Sequence, residues 1–316
     1  MPVFTHGVAL CLSVSLVALA LGGCQSPPAE ETGDRPEVVS TSTMITDWTA
    51  RVGGDEIDLV GILEPGADPH IYEPVPADSI AFEEADLILY NGYNLEPNLI
   101  KLMNAAGIQA RKVAVAEGVT PLDFNYQGRT VPDPHVWGSV QNVIQMVELI
   151  RDELIQLSPA DAALFNQNAA ALIAELQQLD RWITAQIQTI PASQRQLVTT
   201  HDAFQYYATA YGLEVTGTLI GISTEEQPSA RTVQQLAESI QQLKVPAIFA
   251  ETTINPQLIS TVAAEAGVAL APTELYSDSI GAPGSEGDTY LKMMVSNTKT
   301  IVENLGGTYT PLPPSL

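Results

Sequence analysis

The sequence predicts an α/β protein of two lobes, each a mainly parallel sheet flanked by helices, joined by one long linking helix. Three observations predict it. From Val38 onward, short apolar runs alternate with amphipathic stretches, the rhythm of strands crossing over through helices. One uninterrupted helical signal near the middle of the chain separates two such series. The 316 residues, 45% of them hydrophobic, suffice for a sizeable core and favour two domains over one.

In order, residues 1–23 read as an export signal. Val8 to Leu21 is almost unbroken apolar sequence, and Gly22, Gly23 and Cys24 follow it. The run is shorter than the roughly 20 residues a membrane span needs. Residues 24–37 are polar and Pro-rich, which suits a flexible tether. The N-terminal lobe is expected over 38–157. Its strands are Val38–Thr43, Ile57–Leu63, Leu87–Asn91 and Lys112–Ala116. Its helices are Met44–Val52, Asp78–Glu84, Glu96–Ala106 and Ser139–Leu157.

The linking helix is expected over 158–191. Ser158 reads as its N-cap, with Pro159 in the first turn and Asp161 as a capping-box partner. Leu172, Leu176, Leu179, Ile183 and Ile187 recur at three- and four-residue spacings until Pro191 stops the run. At 1.5 Å per residue the helix would be roughly 45 Å long, enough to span two lobes and to act as a stiff hinge with modest closure. The C-terminal lobe, 192–316, repeats the alternation. Strands are expected at Gln196–Thr200, Glu214–Leu219, Ala247–Glu251 and Val268–Leu275. Helices are expected at Ala203–Tyr211, Ala230–Lys244, Pro256–Ala266 and Tyr290–Asn304.

Thirteen Lys plus Arg against 37 Asp plus Glu give a net charge of −24. That balance argues against nucleic acid, which basic patches bind, and favours a surface that attracts cations. Cys11 lies in the signal, and Leu21-Gly22-Gly23-Cys24 resembles the bacterial lipobox, in which the cysteine becomes the lipidated first residue. The remaining body has no thiol, so any metal site must use nitrogen and oxygen ligands.

His6 leaves with the signal, and the three remaining histidines all sit beside an aspartate. His70 ends Pro-Gly-Ala-Asp-Pro-His, His135 ends Pro-Asp-Pro-His, and His201 stands in Thr-Thr-His-Asp. Neutral imidazole is the commonest metal ligand, and a neighbouring carboxylate can orient it. His70, His135, His201 and Asp278 each follow a strand or extended segment, where open parallel sheets bind ligands. Two belong to each lobe, which places the site in the interlobe cleft. Taken singly, each Asp-Pro-His reads as a turn, Asp202 as a helix cap, and Asp278 as a cap or turn residue. Asp68 and Glu251 read first as orienting or structural carboxylates and only as outside candidates for ligands, and Trp137 as cleft wall or core.

From Val38 to Leu316 the chain resembles the metal-binding lipoproteins of bacterial ABC importers for zinc, manganese or iron. The motifs are Pro65-Gly-Ala-Asp-Pro-His70, Asn91-Gly-Tyr-Asn-Leu-Glu96, Asp133-Pro-His-Val-Trp137, Thr200-His-Asp-Ala-Phe204 and Tyr276-Ser-Asp-Ser-Ile-Gly281. Gly138 replaces a common Leu or Met, and Gln227 stands before Pro228 where Glu is usual. The resemblance implies His70, His135, His201 and Asp278 as metal ligands and lipidation at Cys24. It implies a monomeric solute-binding protein that delivers a divalent ion to an ABC permease and touches the membrane only through its anchor. The location would be the periplasmic side of the cell envelope, and the chain would not be an enzyme. Three imidazoles and one carboxylate favour Zn2+ over Mn2+. Relatives with Glu at the third position tend toward manganese or iron, whereas this chain has His201. Gly118 to Val131 lacks the His-rich loop of many zinc-dedicated members, which keeps Mn2+ as the alternative. A zinc hydrolase with Glu251 as base would need an open coordination position that four protein ligands do not leave. A surface adhesin is the remaining reading from another class.

Overall fold

A computed structural model describes residues 1–4, 35–126 and 128–313. The signal from residue 5 onward, the lipidation position Cys24 and the tether up to residue 34 lie outside the described residues. Among the described residues no helix is long and apolar enough to cross a membrane.

The N-terminal series begins with β1 (Glu37–Ser40), α1 (Thr43–Gly53), β2 (Asp58–Gly61) and α2 (Pro76–Glu84). It continues with β3 (Leu87–Tyr90), α3 (Pro97–Ala106) and β4 (Arg111–Ala114). The four strands form one parallel sheet in the order β2-β1-β3-β4. Its central strands are apolar on both faces because both faces are covered. Val38, Leu87 and Leu89 point into one core with α1, while Val39 and Ile88 point into another with Phe82 of α2 and Leu99 and Met103 of α3. Ser42 caps α1 by accepting from the Ile45 amide.

An antiparallel hairpin of β5 (Asp123–Tyr126) and β6 (Arg129–Pro132) follows, which the sequence reading did not anticipate. Then come α4 (Val140–Leu157) and the long helix α5 (Ala162–Ile187). The long helix starts later than expected. Pro159–Asp161 forms a separate 3-10 turn, and the Ser158 hydroxyl is spent on the Asp161 carboxylate instead of capping a backbone amide. The 26 residues of α5 make it about 39 Å long.

The C-terminal series runs β7 (Gln196–Thr199), α6 (Gln205–Tyr211), β8 (Glu214–Thr218), α7 (Ala230–Leu243), β9 (Ala247–Ile248), α8 (Gln257–Ala266), β10 (Ala269–Leu270) and α9 (Tyr290–Asn304). β7 pairs with β8 and β9 with β10, both in parallel. The Phe249 amide donates to the Val198 carbonyl and joins the two pairs. The resulting order, β8-β7-β9-β10, repeats the topology of the first sheet. The last two strands are shorter than the sequence suggested. Pro272 cannot donate to a ladder, and pairing returns only as an isolated Glu251–Leu275 bridge.

Among the described residues, three apolar clusters form the core. One lies under α2 and α3 and one under α7 and α8. The largest runs from Val38 through α4, α5 and α6 to Leu305 and includes residues of both series. A shared apolar core of this kind resists large rigid-body movement of one half against the other.

Candidate metal centre

His70 follows β2 through a turn at Pro65-Gly66, where Gly66 takes a φ of +87° that favours glycine. One oxygen of Asp68 accepts the His70 amide at 2.9 Å. His135 is held in the same way, its amide donating to Asp133 Oδ1 at 3.0 Å. In both Asp-Pro-His segments the aspartate closes an Asx-type turn that presents the histidine. The turn and ligand readings of these motifs are therefore one device.

His201 follows β7 and is held from a distance. Its amide donates to Glu251 Oε1 at 2.8 Å, and its Nδ1 lies 2.5 Å from Glu251 Oε2. His135 Nδ1 lies 2.8 Å from Asp133 Oδ1. In both rings the carboxylate holds Nδ1–H and turns Nε2 inward, where its lone pair would be offered to an ion once any proton on it has left. Asp278 follows the Leu275 bridge. Its loop is bound to the other half of the molecule, with the Ile280 amide donating to Thr43 Oγ1 and the Trp137 indole to the Ser277 carbonyl.

The four residues converge, with one ligand atom from each lying within 4.8 Å of all the others. His70 Nε2 and His135 Nε2 are 3.3 Å apart, His135 Nε2 and Asp278 Oδ1 3.5 Å, His201 Nε2 and Asp278 Oδ2 3.1 Å, and His70 Nε2 and Asp278 Oδ2 3.9 Å. A tetrahedron with bonds of 2.0–2.1 Å has edges of roughly 3.3–3.4 Å. The spacing thus fits one ion at the centre. His201 Nε2 and both oxygens of Asp278 are buried without an aligned hydrogen-bond partner, although buried polar atoms almost always have one. Together they form an inward-facing set of donors that a cation would satisfy.

Electrostatics divide the cluster. Burial lowers His70 to about 3, which keeps its imidazole neutral. Burial also works against a charge on His201, but the carboxylates of Asp278 and Glu251 outweigh it and raise its pKa well above the ordinary histidine value. Asp278 is held below the usual carboxylate range: burial opposes ionisation, and the nearby imidazoles, His201 foremost, overcome it.

All four expected site residues are brought together here. Asp202, expected as a helix cap, instead accepts from the Gln205 side chain, and α6 has no side-chain cap. The neighbour in sequence does not orient His201; Glu251 does. Glu251 thus takes the orienting role read for it from the sequence, though the sequence did not name His201 as its partner. A further buried carboxylate, Glu96, accepts from the Thr41 hydroxyl and the Asn91 amide, and the Asn91 side chain in turn donates to the Pro134 carbonyl beside His135. Gly92, Tyr93 and Asn94 all have positive φ, a strained run beside the site.

The profile of the family described as zinc-uptake complex component A, periplasmic, matches residues 38–304. The chain is 33% identical over 301 residues to the manganese-binding lipoprotein MntA of Halalkalibacterium halodurans, covering 94% of this chain and 98% of that protein. It is 36% identical over 275 residues to the zinc-binding protein TroA of Treponema pallidum, covering 86% and 89%. The solved structure of the periplasmic zinc-binding protein TroA from Treponema pallidum superposes with a TM-score of 0.81 at 35% identity, covering 86% of this chain and 99% of that one.

Proposed function

We propose a cargo and a delivery route for a chain that belongs to the zinc-uptake complex component A family, the substrate-binding proteins of metal ABC importers. As a member it is a metal-binding transport component and not an enzyme. Its ligands are His70, His135, His201 and Asp278, and its favoured cargo is Zn2+. The loaded protein docks on a membrane permease. Cys24 carries the lipid that keeps it at the extracytoplasmic face of the membrane, as the lipoprotein names of its relatives suggest.

The observation that carries the reading is the convergence of four buried ligands at tetrahedral spacing, with unpartnered donor atoms facing one another. A nitrogen-rich, four-ligand set suits zinc better than manganese, which prefers more oxygen. Manganese is the second reading. Both oxygens of Asp278 face imidazole nitrogens, an arrangement open to bidentate ligation, and several relatives are named for manganese.

Metal analysis of protein purified without chelators, followed by competition between the two ions, separates the readings. Tight manganese binding with zinc excluded would reverse the preference. Stoichiometric binding is expected to be lost in His70→Ala, in His135→Ala and in His201→Ala. Its retention in all three would end the site assignment.

A further inference from the structure

Of the four ligands, His70 lines a sizeable pocket beside the centre. A pocket of about 520 Å³ is lined from one half by His70, Tyr93, Glu117 and Pro134, and from the other by Ile222 and Glu225. His70 is 3% exposed, Asp278 1%, and His135 and His201 not at all. The open approach to the centre therefore runs past His70.

The two flanks of the centre are held unequally. On the Asp278 flank many bonds cross between the halves. Trp137 donates to Ser277, Ile280 and Ser279 bond Thr43, the Gly66 amide donates to Ser279, and the Tyr290 hydroxyl donates to the Trp137 carbonyl. On the cavity flank the loop 221–226 meets the His70 turn through one side-chain hydrogen bond, from Thr224 Oγ1 to Asp68 Oδ2 at 2.6 Å.

That bond sits between two ligands. The other oxygen of Asp68 holds the His70 amide. The loop that carries Thr224 is drawn together by the Glu226 carboxylate, which accepts the Gly221 amide. Its Gly221 carbonyl accepts from the Asp202 amide, directly beside His201. Hydrogen bonds at its ends and the backbone of loop 221–226 between them thus join His70 of one half to the neighbour of His201 in the other, and Thr224–Asp68 is where this path crosses.

We propose that the Thr224–Asp68 hydrogen bond is a latch across the metal entrance, with Asp68 the positioning residue that couples closure of the 221–226 loop to the placement of His70. This rests on the metal-capture reading above and adds the element that sets the rate of release. With the latch made, His70 is fixed from both sides and the ion is enclosed. With it broken, the loop can withdraw from the cavity and His70 loses one of its restraints, while the other flank stays laced.

The test uses the full chain loaded with zinc and mixed rapidly with excess of a chromophoric chelator, so that the rate of metal release is read directly. Thr224→Val keeps the shape of the side chain and removes the donor. It is expected to release zinc about tenfold faster, since the bond is made to a charged acceptor. Thr224→Ser keeps the hydroxyl and is expected to stay within about twofold of the unsubstituted chain. Unchanged release in Thr224→Val overturns the latch, and so does Thr224→Ser releasing as fast as Thr224→Val. Failure of the unsubstituted chain to bind zinc or manganese stoichiometrically overturns the capture reading and the latch together. Normal binding with unaltered release overturns the latch alone.

Discussion

The two halves share a strand order and differ in how they hold the four converging residues. In the N-terminal half four regular strands of four residues each carry the site, and each histidine is clamped by an aspartate two residues before it. In the C-terminal half the sheet is two pairs joined by a backbone hydrogen bond, and β9 and β10 have two residues each. There His201 depends on Glu251, 50 residues away, and the Asp278 loop on Thr43, 236 residues from Ser279. One half of the site is locally encoded. The other exists only once the fold has formed.

The sharpest way to break this contrast is to remove the charge from each orienting carboxylate in turn. Glu251 uses both oxygens, one on the His201 amide and one on its ring, whereas Asp133 uses Oδ1 for both contacts to His135. His135 also keeps its Pro134 turn, which Asn91 holds at the carbonyl. Glu251→Gln is expected to weaken zinc binding by about 100-fold and Asp133→Asn by about tenfold, read by competition against a chelator of known affinity. An equal or larger loss in Asp133→Asn would show that the local clamp matters as much as the remote one.

The same division explains what could be read from the chain. The α/β alternation, the boundaries of most helices and the four converging residues were legible because periodicity and Asp-Pro-His turns are local signals. Glu251 was legible as an orienting or structural carboxylate, but not its partner, because nothing near it in sequence points to His201. Asp202, adjacent to His201, was the misleading neighbour. The shortening of β10 was legible in hindsight at Pro272, but the β5–β6 hairpin was not expected, its alternation being brief and mostly polar. The start of the long helix failed for a physical reason as well: Ser158 and Asp161 satisfy each other, so the capping pattern was present and the cap was not.

Glu96 offers a second comparison, because it is a buried carboxylate near the site in the N-terminal half, as Glu251 is in the other. Glu251 has an imidazole to pair with. Glu96 has only the Thr41 hydroxyl and the Asn91 amide on one oxygen, and its other oxygen has no partner. Burial raises it to about 7. The folded chain therefore holds this proton more tightly than the unfolded chain does. The associated stability is complete below about 4.5 and is lost as pH rises through about 7. Relative to Glu96→Gln, the metal-free protein is expected to lose ~2 kcal/mol between pH 5 and pH 8, read from urea unfolding. A gap that does not move with pH would mean that Glu96 is already ionised in the fold.

The smallest expected effect concerns the proton that metal must expel, and it again divides the halves. His70, lowered mainly by burial to about 3, is neutral well above that value and gives up nothing when an ion arrives. His201 keeps its proton despite burial, because Asp278 and Glu251 outweigh the cost of its charge. Loading should release about one proton, and its source is the C-terminal half. Zinc affinity then rises with pH by up to about tenfold per unit while His201 remains protonated. For the metal-free chain the sign is opposite. The His201 ion pair stabilises the fold fully below 6.5, and that stability is lost as pH rises through the raised value. Calorimetry of zinc binding at pH 7 in two buffers of different ionisation enthalpy counts the proton. The count should fall in Glu251→Gln, where one of the two carboxylates that hold it has lost its charge. If the unsubstituted chain releases none, the electrostatic asymmetry between the halves is wrong, and the structural asymmetry must stand without it.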